Sequence, residues 1–242
     1  MQCIFMHTKI RNNGNTMSCF SPFLSYNRCG FSIMFSGIIA SESEILSIHE
    51  GIFTLKNVFR TMLTRWESIS HDGVCVTILD SDRDTYSFFA MEETFRVTNF
   101  GSKKVGDTYN VERSLQLGDR IDGHMVSWHI DTLWDVRERK MNPDGSLTLW
   151  ISFPREYANY CVYKWSIALN GVSLTIIEVI LERERAIIHV SLIPLTQEVT
   201  NLGWLEKGAP INIEFDMIGK YVASMLNKGL LQNSVPSHDP TS

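Results

Sequence analysis

The stretch RWESISHDGVCVTI (Arg65–Ile78) has a partner further along the same chain, YKWSIALNGVSLTI (Tyr163–Ile176). With Thr77 set over Thr175, the pairs Ser68/Ser166, Ile69/Ile167, Gly73/Gly171, Val74/Val172 and Ile78/Ile176 fall into register. The polar positions differ: one copy has Asp72 and Cys75 where the other has Asn170 and Ser173. A second pair of phrases follows in the same order, TFRVTNFGSKKVGDTYNVE (Thr94–Glu112) over TQEVTNLGWLEKGAPINIE (Thr196–Glu214). Two phrases repeated in order mark an internal duplication. Its period of about 100 residues is far longer than a solenoid repeat, so each copy is expected to be a domain of its own.

Both copies carry the pattern of β-strands. Val74–Leu79 alternates, Asp80–Asp84 supplies a polar turn, and Thr85–Ala90 resumes with Tyr and Phe. In the second copy Val172–Val179 and Ile187–Ile193 flank a charged turn at Glu182–Arg185, and Leu147–Phe153 follows the turn-forming Pro143-Asp144-Gly145. Short strands at this spacing predict sandwiches or barrels, and a barrel removes exposed strand edges. The paired glycines 101, 106, 203 and 208 are expected at turns with unusual backbone angles. After Asp216, apolar Met217, Ile218, Tyr221, Val222, Met225 and Leu226 recur at helical spacing. That predicts an amphipathic helix over 217–232, suited to a subunit contact, followed by a disordered tail at 233–242.

The bulk composition agrees with two domains. A length of 242 residues holds two units of ordinary domain size, and 44% hydrophobic residues provide enough mass for their cores. A net charge of −5 argues against nucleic acid as a partner, and no apolar run is long enough to predict a membrane span. Cysteines 3, 19, 29, 75 and 161 form no CxxC pair and no regular frame. Neither a disulfide scaffold nor a metal site is expected, and a reducing, cytoplasmic compartment is the default. Residues 1–33 contain Lys9, Arg11 and Arg28 but no Asp or Glu. They read either as sequence upstream of a true start at Met34 (or Met17) or as an organellar targeting peptide, and are left out of the fold.

Several phrases together, MFSGII (Met34–Ile39), LGDRIDGHMVSWHID (Leu117–Asp131), the NGVSLT type and LIPLTQEVTNLG, closely resemble the riboflavin synthase family. The resemblance covers about residues 34–232. It implies an all-β fold of two tandem six-stranded antiparallel Greek-key barrels plus a C-terminal α-helix. The barrels would occupy 34–122 and 123–216, with the helix supporting a homotrimer. The implied reaction is a dismutation of two molecules of 6,7-dimethyl-8-ribityllumazine. One donates a four-carbon unit and leaves as 5-amino-6-ribitylaminouracil, and the other becomes riboflavin. Two copies of one substrate in unequal roles give the duplication, and its altered polar positions, a reason. The resemblance also admits association with lumazine synthase.

Site residues follow by matching positions. Phe35, Ile39, Ser68, Thr77 and Thr94 match ligand-side positions of the first barrel, with Cys75 beside them. Lys164, Ser173, Thr175, Ile193 and Thr196 match those of the second. His124 and His129 match the two histidines of the GHxxSxH phrase, and Asp216 an acidic residue after the last strand. The chemistry removes a proton from the C7 methyl of one lumazine, whose own ring delocalises the carbanion, so no cofactor is implied. The protein must align two planar ligands and stabilise developing charge. His129 is the expected base or relay, because a near-neutral pKa suits proton transfer. Ser173 and Thr175 are expected to orient a ring. A nucleophile near C7 could come from Ser173, Cys75 or a water held by Asp216.

Each of these residues also has an ordinary structural reading. A strand histidine is commonly hydrogen-bonded and inert, a buried Cys75 packs as a small hydrophobe, and Thr77 and Thr175 are β-branched strand residues. Asp216 also suits the N-cap of the last helix. His49, His71 and His189 are read as structural. Three departures from the family pattern stand out. Trp128 replaces a glycine matched in the first copy by Gly37, so its ring either narrows the pocket or points outward. Asn170 replaces an Asp but keeps hydrogen-bonding capacity. Asp122 stands where a second glycine is usual. Two alternatives from other classes are a lumazine- or flavin-binding protein without turnover and a flavin oxidoreductase module. The second lacks the Gly-rich nucleotide motif it would need.

Overall fold

The computed structural model describes residues 34–227. The N-terminal extension (1–33), the proposed end of the last helix (228–232) and the tail (233–242) lie outside the described residues.

The first repeat forms six strands: β1 (Ser41–His49), β2 (Ile52–Lys56), β3 (Ser68–His71), β4 (Val74–Ser81), β5 (Thr85–Phe89) and β6 (Thr108–Arg113). They close into an antiparallel barrel in the order β1-β2-β5-β4-β3-β6. The second repeat forms β7 (Thr132–Met141), β8 (Leu147–Pro154), β9 (Ser166–Leu169), β10 (Val172–Thr175), β11 (Glu178–Leu181), β12 (Arg185–Leu192) and β13 (Pro210–Phe215). Its order is β10-β9-β13-β7-β8-β12-β11, the same topology with β4 split in two. The split falls at a barrel corner present in both copies. Ile78 exchanges backbone bonds with Trp66 and Glu67, as Ile176 does with Lys164 and Trp165. In the first copy the strand continues past this point through a bulge; in the second it breaks.

Short helices α1 (Glu92–Val97) and α2 (Pro194–Val199) occupy equivalent places after β5 and β12. Each precedes a turn containing Gly101 or Gly203. These two glycines do not have positive φ. They allow close approach, because a Cβ would lie 2.6 Å from the Phe95 carbonyl oxygen or 2.3 Å from that of Gln197. Gly106 and Gly208 do adopt the left-handed angles expected of them.

The phrase common to both copies builds the seam between the barrels. Asp72-Gly73 and Asn170-Gly171 form tight hairpin turns in which both central residues are left-handed. The two turns press together: a Cβ on Gly171 would come 2.7 Å from the Gly73 nitrogen, and one on Gly73 2.9 Å from the Gly171 nitrogen. Around them the Asn pairs exchange reciprocal bonds, as a local two-fold requires. The Asn99 N–H donates to Asn212 Oδ1 and the Asn201 N–H to Asn110 Oδ1, both at 2.7 Å. Asp72 breaks the symmetry. It accepts from the Asn110 N–H, Asn201 and Asn99, and pairs with Lys103 Nζ at 2.8 Å. In the second copy Asn170 replaces Asp72 and Leu205 stands at the position of Lys103. Asn170 therefore carries no charge because its copy supplies no cation for one, which accounts for this departure.

The helix α3 (Met217–Asn227) starts where Asp216 caps it, its Oδ1 accepting the Ile218 N–H at 2.7 Å. Among its apolar side chains Ala223 is buried, whereas Ile218, Tyr221, Val222, Met225 and Leu226 are exposed. No helix of the described residues is long and apolar enough to cross a membrane.

Candidate active site

The residues leading into each repeat cross to the opposite barrel. Phe35 and Val126 form an antiparallel bridge between the two leads. From there the Gly37 carbonyl accepts the Ser173 N–H at 2.9 Å, while the Trp128 carbonyl accepts the Cys75 N–H at 3.2 Å. Each barrel's altered polar strand is thus flanked by the lead of the other repeat. Each lead is anchored by a carboxylate. Ser36 N–H and Oγ donate to Glu112, and Ser127 N–H and Oγ donate to Glu214. Burial raises the pKa of both acids, opposed by those serine bonds.

In the second barrel these constraints converge on Ser173. Its Oγ lies 2.7 Å from His124 Nδ1. Gly37 and Gly123 leave no room for larger residues, since Cβ atoms there would lie 2.6 Å and 2.9 Å from the Ser173 Cβ. Burial lowers the His124 pKa, and the negative charge of Asp216 acts in the opposite direction. The imidazole is therefore neutral near pH 7 and able to accept a proton, with a carboxylate placed to favour the charged ring once it forms. Thr175 faces Ser166 across β9–β10, and Lys164 sits at the adjoining corner.

In the first barrel Ser68 faces Thr77 across β3–β4, and Cys75 lies two residues before Thr77. His129 follows Trp128, whose carbonyl accepts the Cys75 N–H, and is exposed. Partial burial and the Lys220 ammonium lower its pKa, while Asp131 opposes them. Asp131 is itself engaged, accepting from Lys220 Nζ and the Phe215 N–H. The structure pairs His124 rather than His129 with Ser173.

Trp128 does not point outward. Its ring fills the seam at 1% exposure, against Phe35, Val126, Ala168 and Cys75. Its φ of 56° is left-handed, like the 78° of Gly37. That conformation costs a non-glycine residue about 1–2 kcal/mol, less than the roughly 3–5 kcal/mol associated with a well-buried indole. The two anchors also differ locally: Glu112 also accepts the Gly37 N–H, whereas buried Glu214 Oε2 has no hydrogen-bond partner among the described residues.

The remaining candidates are more dispersed. Phe35 is buried in the seam, and Ile39 packs against the second core. Thr94 and Thr196 lie on α1 and α2, where their carbonyls accept the hydroxyls of Thr98 and Thr200, and Ile193 is exposed just before α2. Sequence reading missed Glu112, Glu214 and the seam asparagines as anchors, although all of them stand in the repeated phrases.

Two tandem barrels with crossed leads, each presenting a hydroxyl- or thiol-bearing strand, define a duplicated small-ligand-binding protein. The chain belongs to the riboflavin synthase family: the profile described as the lumazine binding domain matches residues 36–114 and 127–216. The riboflavin synthase of Escherichia coli (strain K12) is 37% identical over 195 residues, covering 76% of this chain and 87% of that one. That of Mycobacterium tuberculosis (strain ATCC 25618 / H37Rv) is 33% identical over 199 residues, covering 80% and 98%. That of Schizosaccharomyces pombe (strain 972 / ATCC 24843) is 35% identical over 162 residues, covering 66% and 75%. Among solved structures, LumP complexed with 6,7-dimethyl-8-(1'-D-ribityl) lumazine superposes with a TM-score of 0.64 at 22% identity. It covers 74% of this chain and 98% of LumP, a likeness of fold.

Proposed function

We propose that the protein is a riboflavin synthase, a transferase that moves a four-carbon unit between two molecules of 6,7-dimethyl-8-ribityllumazine. The observation that carries this reading is the pair of topologically equivalent, chemically unequal strand sites, Ser173 with His124 and Cys75 with its N–H on the Trp128 carbonyl. Two copies of one substrate in different roles need that combination. In this mechanism His124 takes the Ser173 proton as the hydroxyl, or a water it holds, adds to an electrophilic ring carbon. Asp216 stabilises the resulting imidazolium. His129 removes the C7 methyl proton of the partner lumazine. Thr77 and Thr175 hydrogen-bond ring or ribityl groups, and alignment of the two rings supplies much of the acceleration.

The exposed apolar face of α3 supports assembly of a homotrimer in which one subunit's first barrel faces its neighbour's second. A cytoplasmic location rests on the cysteine usage alone. Incubation with the lumazine as sole added reactant is the test: one riboflavin formed per two lumazines consumed is expected. Tight binding without riboflavin would support the non-catalytic lumazine- or flavin-binding alternative instead.

A further inference from the structure

The two barrel corners correspond in a way that the dismutase reading does not use. Arg65–Trp66 in the first repeat stand where Tyr163–Lys164 stand in the second. The backbones match: the Trp66 N–H donates to the Ile78 carbonyl and the Lys164 N–H to the Ile176 carbonyl, each at 2.9 Å. Both residues are left-handed, with φ of 75° and 64°. A non-glycine side chain is disfavoured there, and strain held in place is a pointer to function. The same strain occurs at both corners.

The side chains match too, in reversed order. Arg65 lies over the Trp66 ring at 5.2 Å, and Lys164 lies over the Tyr163 ring at 5.3 Å. Both rings face solvent, Trp66 at 66% exposure and Tyr163 at 64%. Neither ring helps to fill a core, so burial gives no reason for an aromatic at either place. Each corner runs directly into its barrel's hydroxyl pair, Ser68 opposite Thr77 and Ser166 opposite Thr175. An aromatic plane, a cation and two hydroxyls in sequence suit a planar heterocycle with a polyhydroxy tail.

We propose that Arg65 and Trp66 form the ligand wall of the first-barrel site, as the counterpart of Tyr163 and Lys164 in the second. Trp66 stacks on the heterocycle, and the Arg65 guanidinium donates to its oxygen atoms. The inference rests on the lumazine reading and adds a source of inequality between the sites. The first barrel offers a large indole and a forked donor, the second a smaller phenol and a compact ammonium.

The test is a titration of the intact protein with 6,7-dimethyl-8-ribityllumazine, following heat and bound-ligand fluorescence. Trp66→Gly suits the left-handed backbone, so its melting temperature should equal or exceed that of the parent. One of the two binding events per chain should weaken about tenfold or more, as expected for loss of a stacking plane, and the bound lumazine should lose its indole quenching. Trp66→Phe should recover part of both signals. Lys164→Ala should weaken the other event, and Trp204→Ala, which removes an exposed indole outside both corners, should change neither. Parent-like affinity and emission in Trp66→Gly would overturn the proposal while leaving the lumazine reading intact. Failure of the parent protein to bind lumazine would overturn both.

Discussion

The two barrels share a topology and differ inside. The first is rich in rings, with Phe53, Phe88, Phe100, Tyr86, Tyr109 and His71 among its aliphatic residues, whereas the second is mostly Leu, Ile and Val around Phe153 and Phe215. At matched positions Tyr86, Phe88, Phe100 and Tyr109 become Ile188, Val190, Leu202 and Ile211, and His71 becomes Leu169. The first interior even holds a polar chain, with His71 Nε2 2.8 Å from the Tyr86 hydroxyl, which donates to Ser43. Cores tolerate this drift provided volume and patterning are kept. The turn glycines Gly73 and Gly171, which touch each other, and the seam asparagines, which exchange bonds in reciprocal pairs, did not drift. The strand positions that face the sites differ in a third way, by single polar exchanges such as Cys75 for Ser173.

Variants that convert one copy into the other sharpen this contrast. The largest stability effect is expected at the seam. Lys103→Leu alone leaves the Asp72 carboxylate buried without its cation and should cost about 3–5 kcal/mol in denaturant unfolding. Adding Asp72→Asn rebuilds the neutral arrangement of the second copy and should return stability to within about 1 kcal/mol of the parent. If the double variant is as unstable as the single one, the seam is not interchangeable between copies. Trp128→Gly restores the residue type of Gly37. Relief of about 1–2 kcal/mol of backbone strain offsets part of the lost ring burial, so a net loss of about 2–4 kcal/mol is expected.

The interior difference should appear as pH dependence. Burial holds the His71 pKa down at about 3, opposed by a backbone bond at Ile69. The unfolded chain, with a histidine pKa of about 6.5, binds the proton first. The stability from keeping this ring neutral is present above pH 6.5 and is lost as pH falls toward 3. His71→Leu, copying Leu169, should flatten unfolding free energy over that range; an unchanged slope would show that other groups set it. A smaller effect is expected at His124, whose lowered pKa should place the acidic limb of kcat below the usual histidine value of about 6.5. A limb at or above that value would contradict a buried, neutral base.

Much of this architecture was legible in the repeated phrases. They predicted the duplication, the β character and the turns, and the helical spacing of apolar residues after Asp216 predicted α3. The short helices α1 and α2 were not legible, because six residues give no helical periodicity to read. The His124–Ser173 contact spans 49 positions and depends on the crossing of the leads, which no local pattern encodes. Pairing of Asp72 with Lys103 did leave a trace, since Asn170 and Leu205 change together in the other copy. Which way the Trp128 ring points was not legible, because it depends on the positive φ that turns it into the seam.

The central claim is that the paired turns and asparagines of the seam hold the barrels together while Ser173, exchanged for Cys75 in the other copy, does the chemistry. Its most direct test is the turnover of Ser173→Ala with 6,7-dimethyl-8-ribityllumazine, measured alongside its thermal midpoint on the same sample. Loss of riboflavin formation by roughly a hundredfold or more, the scale of a lost acid–base partner, with an unchanged midpoint is expected. Turnover within a few-fold of the parent would contradict the claim.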